Sequence, residues 1–255
     1  MEGITSEASS IAGHLQLNNL VVIYDDNDIT IEGHTDITFT EDVAKRYKSY
    51  GWKVMEMDGH NLEEIEKILK RAAKINDKPV LIISKTIIGY GSPNKKNTHD
   101  VHGSPLGADE IKLLKKGFNF DETADFFTPA EVKELFDKRN EILKKNYETW
   151  LAKFNKLYEN NADFKKEYDA LFKTEIDKSS LFSELCALFP VNKPIATRIA
   201  GGKVMNYLAD KLPSLVGGSA DLSPSTKTYL DKYPAITAQD FSGRNFNFGV
   251  REHAM

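Results

Sequence analysis

The chain has 255 residues, of which 40% are hydrophobic and 28% are charged, so it can bury one large core or two modest ones. Its formal net charge of −4 argues against a protein that binds nucleic acid through bulk charge. The single cysteine, Cys186, excludes an intrachain disulfide, and no apolar run is long enough to span a membrane. We therefore expect a cytoplasmic α/β protein with no nucleic-acid or membrane partner.

The first elements in chain order are a helix and a strand. Apolar residues at helical spacing predict a helix over residues 2–17, with a stripe formed by Ile4, Ala8, Ile11, Ala12 and Leu15. The continuous apolar run at residues 20–23 predicts a strand that is buried on both faces of a parallel sheet.

A cluster of polar residues, Asp-Asp-Asn-Asp at positions 25–28, follows this strand. Ligands of open α/β sheets bind at the carboxyl ends of strands, and carboxylate and amide oxygens suit a hard cation such as Mg²⁺ or Ca²⁺. The same residue types are common in polar turns, so both interpretations stay open at this point. An EF-hand loop beginning at Asp26 is excluded, because Ile31 and Ile37 stand where it needs Gly and Glu.

Four further elements continue the pattern of alternating strands and helices. A helix is predicted over residues 41–50, a strand over 52–57 and another strand over 79–84, and Asn61 is the N-cap of a clear helix between the two strands. The residues of that helix predicted to face inward are Leu62, Ile65, Leu69 and Ala72. This order predicts βαβ units and a parallel sheet.

A long loop, residues 86–107, comes next and is rich in Gly, Asn, Pro and Ser. Loops of this length inside a domain are usually functional or disordered. This loop carries His99 and His102 at the predicted ligand-binding edge, so a functional role competes with a structural or exposed one. Gly89-Tyr90-Gly91 is only half of a dinucleotide fingerprint, and GxxxxGK[ST] does not occur, so neither motif predicts a nucleotide site.

The middle of the chain is helical and charged. Residues 128–131 form a capping box with proline at the first helical position, which predicts a helix to about residue 159. A second amphipathic helix is predicted over residues 162–173. No chemistry is predicted for this region, and a solvated connector is the expected role.

A second α/β pattern begins near residue 194. It contains a predicted helix over residues 197–212, a strand that begins at 215 and a strand over 245–249. The chain begins and stops inside predicted elements, and we therefore expect it to be part of a longer protein.

Eight segments occur in the order and at the spacing typical of one enzyme family, the transketolases. Each is weak alone, but together they cover nearly the whole chain, which therefore resembles that family. The segments are Glu2-Gly3-Ile4-Thr5-Ser6-Glu7-Ala8, Tyr24-Asp25-Asp26-Asn27, Gly33-His34, Lys85-Thr86-Ile87-Ile88-Gly89-Tyr90-Gly91-Ser92, His102-Gly103-Ser104-Pro105-Leu106-Gly107, Ala196-Thr197-Arg198, Gly217-Gly218-Ser219-Ala220-Asp221-Leu222 and Gly249-Val250-Arg251-Glu252-His253-Ala254-Met255.

The resemblance implies a fold and a domain organisation. The implied fold is α/β, a parallel-sheet, three-layer thiamine-diphosphate-binding fold with two incomplete domains joined by a helical linker. Residues 1–120 would be the later part of the pyrophosphate domain, 121–193 the helical linker, and 194–255 the start of the pyrimidine domain.

The resemblance also implies a cofactor site. Asn27, through its side chain, and Ile29, through its backbone carbonyl, resemble ligands of a metal that binds the diphosphate of thiamine diphosphate. Ile88 resembles an apolar contact to the cofactor ring. His102 and Glu252 resemble the catalytic residues of the family, the histidine near the diphosphate and the reacting carbon and the glutamate at the aminopyrimidine ring.

Substrate and subunit contacts are implied in the same way. Arg198 and Ser225 resemble residues that hold the phosphate of the sugar, and Asp221, like His102, resembles a contact to the sugar. A guanidinium and a hydroxyl suit a dianion. Two acidic residues of the first segment resemble residues at the interface of a homodimer, namely Glu2 and Glu7.

The implied activity is the transfer of a two-carbon ketol unit between sugar phosphates of the pentose phosphate pathway, with thiamine diphosphate and Mg²⁺, or else Ca²⁺ or Mn²⁺. The family's third metal ligand, an aspartate in a Gly-Asp-Gly turn, would precede Met1, so we expect the 255 residues alone to be inactive. An alternative is a truncated, non-catalytic paralogue or a fragment that acts as an interaction module with a full-length subunit.

Overall fold

The computed structural model describes residues 3–173 and 175–255, and it divides into a first unit, Met1–Phe127, and a second unit, Thr128–Met255. Short 3₁₀ turns in the first unit cover Thr35–Ile37 and His99–Val101. The helices and strands of the first unit are α1 (Thr5–His14), β1 (Val21–Asp26), β2 (Ile29–Thr30), β3 (Gly33–His34), α2 (Val43–Ser49), β4 (Lys53–Asp58), α3 (Leu62–Ala72), β5 (Val80–Lys85) and α4 (Ala108–Gly117).

The strand β5 is the centre of the main sheet of the first unit. The strand order is β1-β5-β4, and both pairings are parallel. In register, Asp26 of β1 lies beside Lys85 of β5, which in turn lies beside Asp58 of β4. The carboxyl ends of all three strands therefore meet at one edge of the sheet.

Alternate residues of β5 supply two separate cores. Leu81 and Ile83 pack with the buried residues of α1 and α2, including Tyr47. Val80 and Ile82 pack with β4 and with the inner face of α3. Because side chains alternate along a strand, one strand can be buried on both sides between two helical layers. The prediction of a layered α/β fold with a parallel sheet is thus confirmed.

The strand β1 differs from its prediction. It was expected to be buried on both faces, but its side chains alternate between exposed and half-buried. Val22 and Tyr24 pack on the core shared with α1 and α2, whereas Val21 and Ile23 are 42% and 53% exposed. The reason is that α3 packs on β4, and within the described residues of the first unit the core on that side of the sheet does not extend to β1.

The helix α3 begins as predicted but buries a different stripe. Asn61 is its N-cap, and the side-chain oxygen accepts hydrogen bonds from the backbone N–H groups of Glu63 and Glu64, both at 3.1 Å. Leu62 and Leu69 were expected to face inward, but they are exposed, while Ile68 is 5% exposed. The stripe that packs on the sheet is formed by Ile65, Ile68 and Ala72, which are spaced by three and four residues.

The helix α1 also buries fewer residues of its predicted apolar stripe than expected. Ala12 and Leu15 are buried, as expected, but Ile4 and Ala8 are exposed. Only the C-terminal part of α1 reaches the core that it shares with Trp52, whose ring N–H donates to the backbone oxygen of Ser9 at 2.8 Å.

The second unit is mostly helical. Its elements are α5 (Ala130–Asn160), α6 (Ala162–Phe172), α7 (Lys178–Ala187), α8 (Thr197–Lys211), β6 (Gly217–Ser219), α9 (Ser223–Thr226) and β7 (Asn245–Asn247), with a 3₁₀ turn at Glu252–Ala254. The expected capping box of α5 does not form: Pro129 occupies the cap position, and no side-chain cap bond is present there. The domain boundaries at residues 120 and 193 stay a prediction.

Aromatic side chains join α5 to α6. Phe154 of α5 packs edge-on against Tyr168 of α6, with ring centroids 5.3 Å apart. Tyr158 of α5 donates a hydrogen bond to Asp169 of α6 at 2.6 Å. The side chain of Asn161 caps α6 through the backbone N–H of Phe164, which allows a sharp reversal between the two helices. None of the helices in the described residues is long and apolar enough to cross a membrane.

The guanidinium of Arg244 anchors the C-terminal end of α8. It donates from its three nitrogens to the backbone oxygens of Leu215 (2.8 Å), Ala209 (3.0 Å) and Leu212 (2.6 Å). It also lies over the ring of Tyr233, 3.9 Å from the centroid. The carbonyls belong to the last turn of α8, to its cap residue and to the segment after it, so the guanidinium fixes the end of the helix to β7, which Arg244 immediately precedes.

We expect Arg244→Lys to lower the free energy of unfolding by about 1–3 kcal/mol, because one ammonium cannot replace three diverging N–H groups and buried carbonyls lose their donors. Arg139→Lys, at an exposed position of α5, is the matched control and should change the free energy by less than about 0.5 kcal/mol. Urea unfolding followed by circular dichroism measures both values. Equal stability of the two variants would contradict the anchoring role.

Candidate functional site

Asn27 lies at the carboxyl edge of the sheet in the first unit, directly after β1. It is half-buried, and its side chain is fixed by two hydrogen bonds. The side-chain oxygen accepts from the backbone N–H of Ile29 at 3.1 Å, and the side-chain nitrogen donates to Asp25 Oδ2 at 3.4 Å. An amide oxygen has two lone pairs, so Asn27 Oδ1 keeps one acceptor direction for a further donor or a cation.

Ile29 begins a two-strand hairpin, in which residues 31 and 32 form the turn between β2 and β3. Thr30 pairs with Gly33 and Ile29 pairs with His34. Bonded and non-bonded pairs alternate along an antiparallel ladder, and a two-residue turn makes the pair beside it the bonded one. The backbone carbonyl of Ile29 therefore points away from β3.

The carboxylates beside Asn27 are held by their own partners. Thr86 donates its hydroxyl hydrogen bond to Asp25, and Lys85 Nζ lies 2.5 Å from Asp26 Oδ2. The hydrogen bond with Asp26 raises the pKa of Lys85. Burial, together with the charge of Asp26, raises the pKa of Tyr24 to about 12. These contacts tie the end of β1 to the end of β5.

The protein oxygens available at this edge suit a cation that also has ligands from outside the protein. The described residues contain no group of three or more His, Cys, Asp or Glu side chains that could hold a metal ion. Asn27 and Ile29 offer neutral oxygens, and Mg²⁺ is usually bound by a few protein oxygens, waters and substrate phosphates. The donor set therefore fits a cation that arrives with an anionic ligand such as a diphosphate.

The loop after β5 starts with a histidine contact. The backbone N–H of Ile87 donates to His60 Nε2 at 2.9 Å, so this imidazole carries its proton on the other nitrogen. His60 also stacks on Tyr90, with centroids 4.0 Å apart. Ile88 lies between these contacts, is half-buried, and accepts a hydrogen bond from the N–H of Asn97 at 2.9 Å.

A buried carboxylate, Glu110 of α4, holds the middle of the same loop. It accepts hydrogen bonds from the hydroxyl of Ser92 and from the backbone and side chain of Asn94, and these bonds lower its pKa to about 2. Gly91 lies between the stacked Tyr90 and Ser92, with φ of +88°, and a Cβ there would be 2.3 Å from a ring carbon of Phe118. The loop is therefore packed tightly against α4.

His102 lies later in the loop, directly after the 3₁₀ turn, and is exposed. Its backbone N–H donates to the oxygen of His99 at 3.0 Å. Among the described residues, no hydrogen bond joins His102 to Asn27. The two share only the edge from which their loops emerge, since one follows β1 and the other follows β5. The functional role of the loop stays a prediction.

In the second unit, two candidate residues follow two paired strands. β6 and β7 are parallel, and the N–H of Phe248 donates to the oxygen of Ser219 at 3.3 Å, just past the strand ends. Asp221 comes after β6, and Glu252 comes after β7 in the 3₁₀ turn. Both side chains are exposed and lie at the same edge of this small sheet.

Arg198 and Ser225 lie on two helices that pack together. Arg198 is in the first turn of α8 and Ser225 is in α9, and both are exposed. The contact is close, since a Cβ on Gly202 of α8 would be 2.6 Å from the backbone oxygen of Lys227. A groove of about 650 Å³ opens between the two helices and is lined by residues that include Ile199, Lys203, Ser223 and Lys227.

Glu2 and Glu7 were predicted to lie near a subunit interface. Glu7 is half-buried in the first turn of α1, whereas Glu2 lies outside the described residues. His60 and Glu110 were not predicted from the sequence. Their partners are 27 and 16–18 residues away along the chain, so local patterns carry no signal for these contacts.

Two family models match the chain. Residues 1–177 match "Transketolase, thiamine diphosphate binding domain", and residues 193–255 match "Transketolase, pyrimidine binding domain". Among curated relatives, the transketolase of Bacillus subtilis is 42% identical over 257 residues, which cover 100% of this chain and 38% of the Bacillus protein. Transketolase 1 of Saccharomyces cerevisiae is 42% identical over 273 residues, again covering 100% of this chain and 38% of its own length.

Solved transketolase structures resemble the chain in fold as well as in sequence. The transketolase of Pichia stipitis in complex with sedoheptulose 7-phosphate has a TM-score of 0.89 at 36% identity, covering 100% of this chain and 38% of that one. The transketolase of Leishmania mexicana has a TM-score of 0.89 at 34% identity with the same coverage. This chain thus spans a little over a third of the length of these relatives, and with family models matching most of its residues it belongs to the transketolase family.

Proposed function

We propose that the chain forms part of a transketolase that moves a two-carbon ketol unit from a ketose phosphate to an aldose phosphate. The observation that carries the proposal is the pair of neutral oxygens, from Asn27 and Ile29, at the carboxyl edge of a parallel sheet. This is the edge at which ligands bind in open α/β sheets. Membership of the family makes ketol transfer the expected use of such an edge.

Asn27 Oδ1 and the carbonyl of Ile29 would hold a divalent cation, Mg²⁺ in the first instance and otherwise Ca²⁺ or Mn²⁺, beside the diphosphate. Thiamine diphosphate, when bound, supplies the carbanion chemistry that side chains cannot. Ile88 would exclude water from the ring of the cofactor. His102, exposed in the loop after β5, would donate hydrogen bonds to the diphosphate and to the substrate oxygen.

Glu252 would act on a proton of the cofactor. Its carboxyl would share a hydrogen bond with a ring nitrogen of the aminopyrimidine and so favour the form in which the exocyclic nitrogen is a base. Its position supports this role, because it follows β7 at the edge where Asp221 follows β6. The competing interpretation is a carboxylate that merely stabilises the first turn of a helix.

The phosphate of the sugar would bind at the start of α8. Arg198 and Ser225 are exposed on two packed helices, and a guanidinium with a hydroxyl can hold a dianion. Asp221 would accept hydrogen bonds from hydroxyl groups of the donor sugar. The sedoheptulose 7-phosphate complex of the Pichia stipitis enzyme supports a sugar phosphate as the ligand class.

A homodimer with Glu2 and Glu7 near its interface, a cytoplasmic location and an inactive isolated chain are part of the same proposal. One observation favours the alternative of a non-catalytic module that pairs with a full-length subunit. One face of β1 exposes Val21 and Ile23, and no described helix of the first unit packs on it, which leaves an apolar strand face for another polypeptide.

A chimera tests the proposed activity. The 255 residues would replace the matching segment of the Bacillus subtilis transketolase, with the isolated chain assayed beside it. We expect ketol transfer by the chimera and none by the isolated chain. A dead but folded and cofactor-loaded chimera would favour the non-catalytic alternative instead.

In the chimera, Asn27→Ala should weaken thiamine diphosphate binding by about tenfold or more, because the cation loses an oxygen ligand. Calorimetric titration of the cofactor at fixed Mg²⁺ measures the change, and removal of Mg²⁺ by a chelator should cause a similar loss. Asn160→Ala, at the end of α5, is the control. If both variants bind the cofactor equally well, Asn27 is not a ligand.

Glu252→Gln should lower kcat of the chimera by about 10²-fold or more, since the amide cannot hold the carboxyl proton. Glu131→Gln removes another carboxylate from the first turn of a helix, α5, and should leave kcat unchanged. Steady-state turnover measures both variants. Equal activities would favour the helix-dipole interpretation of Glu252.

Arg198→Leu should raise KM for phosphorylated sugars by about tenfold to a hundredfold while KM for an unphosphorylated acceptor stays unchanged, because only the former loses a charged hydrogen bond. Arg139→Leu, exposed in α5, is the control. An increase in KM that is the same for both acceptors would show that Arg198 does not bind the phosphate.

A further inference from the structure

The loop between β5 and α4, residues 86–107, is organised around one buried carboxylate. Glu110 is 7% exposed and accepts three hydrogen bonds. The donors are the hydroxyl of Ser92 at 2.5 Å, the backbone N–H of Asn94 at 2.8 Å and the side-chain amide of Asn94 at 2.9 Å. A carboxylate that receives several donors is much better satisfied than one facing water alone.

Further hydrogen bonds connect the segment held by Glu110 to the rest of the loop. The hydroxyl oxygen of Ser92 accepts from the N–H of Lys95 at 3.2 Å, and Lys95 Nζ donates to the oxygen of Leu106 at 2.9 Å. Thr98 donates its hydroxyl hydrogen bond back to the oxygen of Lys95 at 2.8 Å. The two halves of the loop are therefore joined near the position that Glu110 fixes.

The same network reaches the two loop residues assigned to the cofactor. Ile88 accepts from the N–H of Asn97, which lies within the anchored segment. Gly89 packs against Val101, because a Cβ on Gly89 would be 3.2 Å from a methyl group of Val101. Val101 is the residue before His102. A shift of the segment at Ser92 would thus displace both Ile88 and His102.

We propose that Glu110 is a positioning residue for the cofactor loop, acting through Ser92, Asn94 and Lys95 without touching cofactor or substrate. The proposal rests on the proposed function only in assigning Ile88 and His102 to thiamine diphosphate. The role in fixing the loop stands on the hydrogen bonds alone.

The chemistry requires a carboxylate at this position. Three donors converge on the two oxygens of Glu110, and neither oxygen has to donate. In Glu110→Gln one oxygen becomes an NH₂ group that faces other donors, so at least one of the three donors, from Ser92 or Asn94, loses its acceptor. The neighbour Asp109 is exposed in the same first turn of α4 and provides a matched control, Asp109→Asn.

Amide hydrogen exchange of the full 255-residue chain, measured by NMR, tests the anchor. In Glu110→Gln we expect the amides of Asn94 and Lys95 to exchange at least about tenfold faster, the order expected for a lost buried acceptor, while those of β5 keep their rates. Asp109→Asn should change none of them. Ser92→Ala, which removes one donor, should loosen the same two amides if Glu110→Gln does not fold.

Two results would overturn the proposal. In the first, Glu110→Gln matches Asp109→Asn at Asn94 and Lys95. In the second, the amides of β5 accelerate as much as those of the loop, which would make Glu110 a residue of the general fold. Glu110→Asp keeps the charge and should recover part of the loop protection, whereas a purely steric role for the glutamate side chain would give no recovery.

The resonance of the Asn94 amide proton gives an independent signature. The bonds from Ser92 and Asn94, with the charge of Lys95 nearby, hold the pKa of Glu110 near 2 against an ordinary value of 4.5. A lowered pKa in the folded state means that the contribution of the carboxylate is complete above pH 4.5 and is lost as the pH falls toward 2. The resonance should titrate with its midpoint near pH 2, well below 4.5, and should stay constant over the same pH range in Glu110→Gln. A midpoint at the ordinary value would contradict the anchor.

Cofactor binding separates this inference from the proposed function. Thiamine diphosphate with Mg²⁺ is titrated into the chimera described above, and Glu110→Gln should reduce its affinity by about tenfold relative to Asp109→Asn, as for loss of an outer support of a site. Equal affinities of the two variants would overturn positioning of the cofactor by Glu110. If the unmodified chimera binds no cofactor, the proposed function fails, and the exchange experiment still decides the role of Glu110 in the loop.

Discussion

The central position of β5 is the constraint on which the first unit depends. Its residues Val80 to Ile83 are buried, with β1 on one side and β4 on the other, and its two faces supply two different cores. Because all three strands are parallel, their polar ends must meet at one edge, and the loops that follow them are neighbours there. Ligands of open α/β sheets bind at such an edge, and the proposed cofactor contacts of Asn27 and Ile29 lie there.

Ion pairing and hydrogen bonding then decide which groups at the edge are available. Asp25 and Asp26 are engaged by Thr86 and Lys85, so these charges join strand ends instead of facing a ligand. Asn27 keeps an acceptor direction because its oxygen receives one hydrogen bond, from the N–H of Ile29. The ion pair with Lys85 thus offsets the charge of Asp26, while the hydroxyl of Thr86 fixes the orientation of Asp25.

Periodicity predicted much of the fold, and its failures have physical reasons. The helix beginning at Asn61, the strand at residues 79–84 and the parallel sheet were predicted correctly, since they depend on local caps and apolar runs. The prediction that β1 is buried on both faces was wrong, because its burial depends on where α3 packs, which no local pattern encodes. The site residues came from motif resemblance, whereas His60 and Glu110 depend on distant partners and could not be recognised from spacing.

Gly91 limits which residues can stand at this position of the loop. Its backbone has φ of +88°, and the space where a Cβ would lie is filled by the ring of Phe118 and a methyl group of Leu114. The turn of the loop and the last turn of α4 are therefore in close contact. Any side chain at position 91 would need a strained backbone and a shift of Phe118 and Leu114, so the tolerance of this position depends on the residues that α4 presents to it.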